Sequence, residues 1–412
     1  MDVLVERCCG LDVHQKTVVA CMVTPGAGSK TQKVVRTFRT VTAELEELRD
    51  WLLENQISHV AMESTGVYWM PVYQVLATGE FTLIVGNAAH IKNVPGRKTD
   101  VKDAEWIAHL VRHGLIRPSV VPTPMMRRLR EYTRLRRKLI DERTSTRNRI
   151  LRLLETANIK LASFASDVFG VSGCLMLDAL IAGDQSPERM AALAKGMLRR
   201  KRNDLALALR GKMEEHHRYL LRLHRDRIGQ IDQNVADLDV RIEKELTEVS
   251  STVERLVEVP GVDRVLAAVI IAELGLDMSY FPTHGHAAAW AGLSPGSNRS
   301  AGKKTRAESA RHGNKYLRTA LAQAATSACK VHGTHYREKY LRVQRRRGAG
   351  RATIATAHAI LVSVYHMLKS EKTYAERGEH KPTDAEKSAI ANRLRKRIEQ
   401  LGFDVDVKPK AA

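Results

Sequence analysis

Two periods of apolar residues alternate along the first 116 residues. KVVRTFRT (33–40) alternates with period two, as a half-buried strand does, whereas TAELEELRDWLLE (42–54) repeats apolar residues at helical spacing after a threonine. Further strand-like runs are ERCCGLDV, KTVVACMVT, HVAMEST and FTLIVGN, and VYWMPVYQVL predicts a helix interrupted by Pro71. The order of three strands, a helix, a strand, a helix, a strand and a helix predicts an α/β layer fold.

From Pro124 the pattern becomes helical. Residues 126–155 predict an arginine-rich helix, and a looser stretch (161–212) separates it from a second long helix. The second helix carries apolar residues mostly at three- and four-residue steps: Ile228, Ile231, Val235, Leu238, Ile242, Leu246, Val249, Val253 and Leu256. Such spacing is close to a coiled-coil seam and favours an antiparallel helical hairpin.

The remaining third of the chain is also mainly helical. Residues 256–275 predict two helices joined at PGVD, a helix–hairpin–helix that can offer backbone N–H groups to a phosphate. A basic loop, SPGSNRSAGKKTR (294–306), lies in a helical region that ends near residue 370, and the tail is mostly charged. The predicted divisions are 1–120, an α/β catalytic domain, 124–255, a helical coiled-coil linker, 256–370, a helical domain with the basic loop, and 371–412, a charged tail.

The charge balance points to a polyanionic partner. Sixty-seven Lys+Arg against 46 Asp+Glu give a formal net charge of +21. Neutralised phosphates release condensed counterions, so a surplus of this size favours nucleic acid. An anionic membrane surface would require an exposed amphipathic anchor, and none stands out.

The cysteines and the hydropathy of the chain further restrict the class of protein and its cellular compartment. The five cysteines are odd in number and never spaced as CxxC, which argues against a disulfide framework and a structural zinc site. No apolar run is long enough to span a bilayer, and the N-terminus lacks the regions of a secretory signal. We therefore expect a cytoplasmic, globular protein.

Four acids stand where predicted strands and helices meet. Asp12 ends the first strand, Glu63 ends the fourth, and Asp100 and Asp103 open the helix in KTDVKDAEWIAHLVRHG. Residues three apart share a helical face, so the last two carboxylates are predicted to point the same way. Four carboxylates at one sheet edge would bind a pair of Mg²⁺ ions about 4 Å apart, which suits phosphoryl transfer on a phosphodiester.

Each acid also has a structural interpretation. Asp12 could cap a turn, Glu63 could pair with a surface lysine, and Asp100 could be a helix N-cap. The four acids taken together favour a metal site. An acid at the end of strand one, another at the end of strand four and a D-x-x-D helix after strand five match an RNase H-like, RuvC-like nuclease layout. Lys98 and Lys102 would then face the phosphate.

The basic loop is a second candidate site. A serine near Arg299, Lys303 and Lys304 suits attack on a phosphate, because cations lower the free energy of the alkoxide and of the pentacovalent transition state. The structural alternative is a basic loop whose serines only interact with water. Lys315 and Arg318 could contact the same phosphates or lie solvated on a helix.

The arginine-rich helix offers a face that could follow a nucleic-acid backbone. Its arginines greatly outnumber its acids, which favours RNA or DNA binding over a merely solvated face. The candidate contacts at its start are Arg127, Arg128, Arg130 and Arg134.

Several of these segments together resemble one family. They are GLDVHQK, ESTGVYW, KTDVKDAEWIA, VPGVDRVLAAVIIAELG and AGLSPGSNRSAGKK followed by HGNKYLRTAL. In this order they resemble the DEDD transposases of bacterial insertion sequences, the IS110 and IS1111 group of bridge-RNA-guided recombinases. The resemblance extends over about residues 5 to 370.

The resemblance implies the fold and the reaction. It implies a RuvC-like N-terminal domain, a helical linker and a C-terminal transposase domain, which transpose a mobile element by DNA recombination. It implies catalytic, metal-binding acids at Asp12, Glu63, Asp100 and Asp103, with Mg²⁺ or Mn²⁺, and a nucleophile at Ser300. Ser294, Ser297 and Ser309 are rival serines. The long linker and the basic tail have no counterpart in the family pattern that we can place.

The family also implies partners. It uses a structured guide RNA to select donor and target DNA, and it acts as a homodimer or homotetramer on DNA in the bacterial nucleoid, with no membrane. The acids of one subunit are expected to meet the serine of another, and a phosphoserine intermediate would allow strand exchange without hydrolysis. The competing function is a RuvC-like endonuclease that cuts by metal-dependent hydrolysis, and a third is a non-catalytic nucleic-acid scaffold. An intact set of four acids counts against the scaffold.

Overall fold

A computed structural model describes residues 2–26, 31–94, 102–184, 186–294, 299–300, 303–304, 313–376 and 384–406. By its internal contacts the chain divides into two compact units, Met1–Val121 and Pro122–Ala412. The first is a mixed α/β unit and the second is mostly helical. The predicted combination of an α/β part with a helical remainder is therefore confirmed.

A five-stranded sheet forms the first unit. Its strands are β1 (Cys8–Val13), β2 (Thr17–Pro25), β3 (Thr31–Arg39), β4 (His59–Glu63) and β5 (Thr82–Gly86). They lie in the order β3-β2-β1-β4-β5. Strands β1, β2 and β3 pair antiparallel, whereas β4 is parallel to both β1 and β5.

Helices cover both faces of this sheet. They are α1 (Thr42–Glu54), α2 (Trp69–Leu76), α3 (Ala88–Asn93) and α4 (Asp103–Arg112). The core under α1 and α2 takes Cys9, Leu11 and Val13 from β1, while Cys8 belongs to the core under α3 and α4. Successive strand residues point to opposite faces, so Asp12 shares the α4 face with Cys8. Pro71 lies in the first turn of α2 and does not interrupt it, because the first turn of a helix needs no donor there.

Gly10 lets α4 approach the sheet at backbone distance. A Cβ atom at this position would lie 2.2 Å from the Ala108 nitrogen and 2.3 Å from the Ala104 oxygen. Only glycine permits this approach, which brings the first turn of α4 close to the end of β1.

Two long antiparallel helices run through the second unit: α5 (Pro124–Thr156) and α10 (Glu215–Leu246). Thr123 caps α5, and Pro124 occupies its first turn, where proline is favoured. Ion pairs fix the register of the pair: Arg128–Glu245, Arg136–Asp239, Arg143–Asp232 and Arg227–Glu142. The predicted seam of α10 is buried from Ile228 to Leu246, but a 3₁₀ turn at Thr247–Val249 ends the helix before Val253.

Residues 161–212, for which the sequence predicts a looser stretch, form short helices with a core of their own. These helices are α6 (Leu161–Phe164), α7 (Val171–Ala182), α8 (Pro187–Ala192) and α9 (Arg202–Ala208). Their core includes Ile150 and Leu154 from α5 together with Leu221 and Ile228 from α10. The segment is therefore a helical cap on one end of the long pair.

The other end of the pair carries a larger helical core. It comprises α11 (Ser250–Val257), α12 (Arg264–Leu274), α13 (His284–Trp290), α14 (Lys315–Ala328), α15 (His335–Arg347) and α16 (Ala349–Ser370). The PGVD segment joins α11 to α12, as predicted. Gly261 has φ +86°, and a Cβ there would lie 2.2 Å from the Ala324 oxygen, so the turn requires glycine.

The remaining described elements are short or peripheral. Strands β6 (Arg299–Ser300) and β7 (Lys303–Lys304) form a two-stranded antiparallel ladder, and α17 (Asp384–Glu399) lies in the tail. All five cysteines are free thiols. Within the described ranges, we find no helix with the length and apolarity that a bilayer crossing demands.

Candidate functional site

Asp12 and Glu63 lie at the carboxyl ends of adjacent parallel strands. The pairing of β1 with β4 runs as far as Leu11 opposite Met62, and the two acids are the next residues on each strand. Both follow the alternation of the sheet to the face that α4 covers. The prediction that these strand ends bring acids together therefore has a structural basis.

Asp103 is the first residue of α4. Lys102 is its N-cap and has extended backbone angles (φ −62°, ψ 145°), so the helix does not continue towards the N-terminus. Asp103 therefore opens the helix, as predicted, whereas the shared helical face of Asp100 and Asp103 stays a prediction. Asp100 and Lys98 lie outside the described residues.

Electrostatics tie three of the acids together. The pKa of Asp12 is raised, first by burial, and then by the negative charges of Asp103 and Glu63, while the neighbouring His14 opposes the shift. His14 Nε2 lies 3.1 Å from Asp12 Oδ2, and Thr65 Oγ1 donates to Glu63 Oε1 at 2.7 Å. Asp12, Glu63 and Asp103 thus form one electrostatic cluster, which we call the acid cluster.

The oxygen ligands of the acid cluster suit a hard divalent cation. Carboxylate oxygens are the ligands that Mg²⁺ and Mn²⁺ prefer. Within the part of the chain described, its ligand atoms do not all lie within 4.8 Å of one another. Mutual repulsion opposes closer approach of carboxylates, and a bound cation would offset it. The residues present therefore fit such an ion.

A second group of ligand atoms lies at the start of α10. Atoms of Glu214, His216 and His217 lie within 4.8 Å of one another. Glu214 and His217 form a capping box, in which His217 Nδ1 accepts the Glu214 backbone N–H at 3.2 Å. Lys212 Nζ also lies 3.1 Å from Glu214 Oε1. Helix capping accounts for this arrangement without a metal.

Ser300 belongs to β6, opposite Lys303 of β7 in the ladder. Arg299 and Lys304 form the other pair of this ladder, so the backbone brings the predicted nucleophile into register with three of the predicted cations. The rival Ser297 and Ser309 lie outside the described residues. The ladder is the described part of the candidate serine site.

The basic loop (294–306), which carries Ser300 and which we now call the serine loop, is closed at its base by backbone contacts. The Asn314 N–H donates to the Trp290 carbonyl oxygen at 2.8 Å. A Cβ on Gly313 would lie 2.3 Å from the Gly292 nitrogen, so the two chain segments meet at backbone contact. The chain therefore leaves and re-enters the helical core at one point, between α13 and α14.

A buried carboxylate supports that point. Glu273 of α12 has a side chain with 0% exposure and accepts two hydrogen bonds from Arg134, each 2.7 Å long. Asn314 Nδ2 donates to Glu273 Oε2 at 2.6 Å, while Asn314 Oδ1 caps the first turn of α14. Glu273 thus joins α5, α12 and the start of α14.

Most of the predicted arginine contacts of α5 are engaged within the second unit. Arg128 pairs with Glu245, Arg130 donates to the Ala272 and Glu273 carbonyl oxygens, and Arg134 binds the Glu273 carboxylate. Arg127 has no ion-pair partner among the residues described. Lys315 lies over the Tyr316 ring at 5.1 Å, and Lys102 is exposed.

Sequence reasoning missed two features of the second unit. One is Glu273, whose signal was a single acid in the apolar run VLAAVIIAELG. The other is an exposed group of arginines in the second half of α15 and the first turn of α16. These arginines have no acidic partner among the described residues, and we call them the α15 arginines: Arg342, Arg345, Arg346, Arg347 and Arg351.

Two transposase family models match separate parts of this chain. A family model of the DEDD transposases of IS110, described as a transposase, matches residues 9–159, which contain the acid cluster. A model described as the transposase IS116/IS110/IS902 family matches residues 253–341, which contain Glu273 and the serine ladder.

A curated relative covers most of both chains. The protein named "Probable family 20 transposase" of Pseudomonas aeruginosa is 24% identical over 333 residues, which is 80% of this chain and 89% of that protein. Both family models and the relative name the same activity. This chain is an enzyme with transposase activity and belongs to the IS110 family of DEDD transposases.

Proposed function

We propose that this transposase cuts and rejoins DNA strands at the ends of an insertion sequence, with acids that bind a metal and a serine that attacks phosphorus. The observation that carries the proposal is the acid cluster. An acid at the end of β1, another at the end of β4 and a third at the start of the helix that follows β5 and α3 support a RuvC-like, RNase H-like first domain.

The rest of the chain is assigned in the same way. Residues 124–255 are proposed to be a helical linker and 256–370 a transposase domain with a helix–hairpin–helix at PGVD. The antiparallel pair of α5 and α10 supports the first assignment, and the tight Gly261 turn supports the second. The tail, 371–412, receives no catalytic role.

Asp12, Glu63, Asp100 and Asp103 are the proposed metal ligands. DEDD transposases generally use divalent metal ions. Mg²⁺, or Mn²⁺ in its place, would stabilise negative charge on the reacting phosphate when bound. The protein's own contribution is to hold carboxylates at a partly buried sheet edge, where their interaction with a cation is less screened by water.

Ser300 is the proposed nucleophile. Its Oγ forms a bond to phosphorus, the P–O bond of the DNA strand breaks, and the leaving oxygen takes up a proton while the serine hydroxyl loses one. Arg299, Lys303 and Lys304, which share its ladder, provide positive charge for the transition state. Attack by a DNA hydroxyl on the phosphoserine would then rejoin a strand without hydrolysis.

Nucleic acids are the proposed partners: DNA as substrate and a structured RNA as guide, bound by a homodimer or homotetramer. The net charge of +21 and the exposed α15 arginines support nucleic-acid binding. The remaining proposed contacts are the cations Lys98, Lys102, Arg127, Arg128, Arg130, Arg134, Lys315 and Arg318. Of these, Arg128, Arg130 and Arg134 would have to bind while holding their internal partners.

A covalent adduct is the test. The purified protein is incubated with labelled element-end DNA, the flanking non-coding RNA and Mg²⁺, and denaturing gels are scanned for DNA linked to protein. We expect an adduct that Ser300→Ala and Asp12→Asn both abolish. Ser294→Ala and Asp50→Asn serve as matched controls and should retain it.

Each other outcome decides against part of the proposal. Cleavage without an adduct, unchanged in Ser300→Ala, would replace the serine mechanism by metal-dependent hydrolysis. Loss of the adduct in Ser297→Ala or Ser309→Ala, but not in Ser300→Ala, would show that the substituted serine, and not Ser300, is the nucleophile. If the adduct forms equally well in the presence of a chelator, the reaction does not require a divalent metal ion.

A further inference from the structure

A cavity of about 380 Å³ opens between α5, α12 and α14, wholly within the second unit. Its volume falls in the range of about 300–1,000 Å³ that small-ligand pockets occupy. None of the site residues proposed for the chemistry supplies its floor, and no function assigned above uses the cavity as a pocket. It begins at Lys315, the residue after Asn314, at the base of the serine loop.

The floor of the cavity is apolar. Val265, Leu266 and Val269 project from α12, and their neighbours Ala267 and Ala268 are fully buried. The three larger side chains are only half-buried, so apolar surface remains open towards the cavity. Such a surface favours a flat, largely apolar group such as a nucleobase.

The rim carries positive charge that the protein does not neutralise. Lys138 and Lys315 are exposed and have no acidic partner among the residues described. The acid of the lining, Asp141, pairs with Arg137 at 3.2 Å. The rim therefore attracts an anion, and phosphate is the anion that a nucleic-acid enzyme meets.

Polar groups complete the wall on α14. Thr319 and Gln323 also line the cavity, and both are exposed. Thr319 Oγ1 donates to the Lys315 carbonyl oxygen at 2.8 Å and can still accept a hydrogen bond from a base edge, whereas the Gln323 amide can donate and accept. The Tyr316 ring, by contrast, has Arg134 at 4.5 Å and Lys315 at 5.1 Å from its centroid, so we assign it no stacking role.

We propose that this cavity binds one nucleotide of a DNA strand after that nucleotide has left the base stack. The base lies on the floor of α12, its edge meets Thr319 and Gln323, and its phosphate meets Lys138 and Lys315. DNA is chosen over RNA because the cavity adjoins the loop with the proposed nucleophile, which acts on DNA. The assignment rests on the proposed function in this respect alone.

The proposal gives the cavity a part in selecting the strand. Removing a base from the stack requires free energy, and a preformed pocket can return it through burial and phosphate contacts. A strand whose nucleotide enters the cavity is held next to the base of the serine loop. A strand that cannot unstack there would bind less tightly.

The test uses 2-aminopurine, which brightens when it leaves the base stack. The full-length protein is mixed with element-end DNA that carries the probe at one position at a time around the cleavage site. We expect one position to brighten severalfold. Ala320→Leu, which adds volume to the cavity wall, should abolish the signal at that position.

Charge variants provide a second readout. In Lys138→Gln with Lys315→Gln, the slope of log affinity against log salt for single-stranded DNA should fall by about 1.4, because each phosphate that a lysine no longer neutralises reduces it by about 0.7. Arg210→Gln with Lys212→Gln is the matched control, because these cations line a separate cavity of about 280 Å³ in the same unit. The control should leave the slope and the signal unchanged.

Contrary outcomes are distinct. The proposal is overturned if no position brightens, if brightening survives in Ala320→Leu, or if Arg210→Gln with Lys212→Gln lowers the salt slope as much as Lys138→Gln with Lys315→Gln does. Brightening of probe placed in the flanking RNA, but not in the DNA, would overturn the choice of DNA. If the 2-aminopurine fluorescence changes as expected but the protein forms no serine adduct, the serine mechanism is refuted and the nucleotide site is supported.

Discussion

Glu273→Gln offers a quantitative test of the buried carboxylate at the base of the serine loop. Glu273 is fully buried and receives two hydrogen bonds from Arg134 and one from Asn314. Removing one partner of a buried ion pair costs about 3–5 kcal/mol, because the other charge remains buried without compensation. Glutamine keeps one acceptor oxygen and the Arg134 side chain is 37% exposed, so water can partly solvate the charge that is left. We therefore expect a decrease of about 3 kcal/mol in the free energy of unfolding, the lower end of that range.

Asp239→Asn is the matched comparison. Asp239 also pairs with an α5 arginine, Arg136, but its side chain is 41% exposed. Exposed pairs contribute about 0–1 kcal/mol, since water and salt screen them. Thermal unfolding followed by circular dichroism should therefore show a decrease in melting temperature of about 6–12 °C for Glu273→Gln and only a small decrease for Asp239→Asn.

The same variant should affect the chemistry. Asn314 holds the start of α14 and the closed base of the loop, and it loses a charged partner in Glu273→Gln. At a temperature where the variant is folded, adduct formation at saturating DNA should slow more than DNA affinity falls. Equal decreases in unfolding free energy in the two variants, or an unchanged adduct rate in Glu273→Gln, would refute the reasoning.

Four further predictions concern other parts of the molecule. Burial and the neighbouring carboxylates raise the Asp12 pKa, so the native state binds that proton more tightly than the unfolded state does, and wild-type stability increases as pH falls through this titration. Asp12→Asn should remove this pH dependence and raise the melting temperature at neutral pH in the absence of metal. Mg²⁺ at 100 times its Kd should stabilise the wild-type protein by about 2.7 kcal/mol, and the variant should lose this stabilisation. Gly10→Ala should cost about 1–3 kcal/mol in chemical denaturation, because its Cβ would meet the α4 backbone; an unchanged midpoint would contradict the close approach. Burial raises the pKa of the Cys8 and Cys21 thiols to about 11, so a thiol reagent at pH 8 should modify at most Cys174 and Cys329 in the folded protein and all five cysteines after unfolding. Arg345→Gln with Arg346→Gln and Arg347→Gln should lower the salt slope for duplex DNA by up to about 2.7, whereas the equal charge reduction at Arg199, Arg200 and Lys201 should not; equal effects would show that only net charge matters.

The sheet and the long helices could be predicted because apolar periodicity reports local burial. Residues 42–54 form α1 with the predicted bounds, and the seam that begins at Ile228 is buried through Leu246. The break at residues 247–249 could not be predicted, since the apolar repeat continues through it. Periodicity records which side of a helix is buried and does not record where the backbone changes direction.

Long-range pairing was the part that could not be predicted from the sequence. Arg128 and Arg134 look like surface cations, yet their acids stand more than a hundred residues later, on α10 and α12. The acid cluster could be predicted more readily, because the backbone pairing of β1 with β4 brings the ends of these strands together independently of side-chain contacts. Asp103 was placed correctly at a helix start, because a polar residue before an apolar helical repeat signals where a helix begins.

The length of the paired helices α5 and α10 sets the distance between two hydrophobic cores of the second unit. One core includes Leu129 and Ile242, and the other includes Ile150 and Ile228. The 33 residues of α5 correspond to about 50 Å at 1.5 Å per residue. Insertions or deletions in evolution must therefore occur in both helices at once, in steps of about seven residues, if the cores and the ion-pair register are to survive. A homologue with such a paired insertion would hold its cores about 10 Å farther apart.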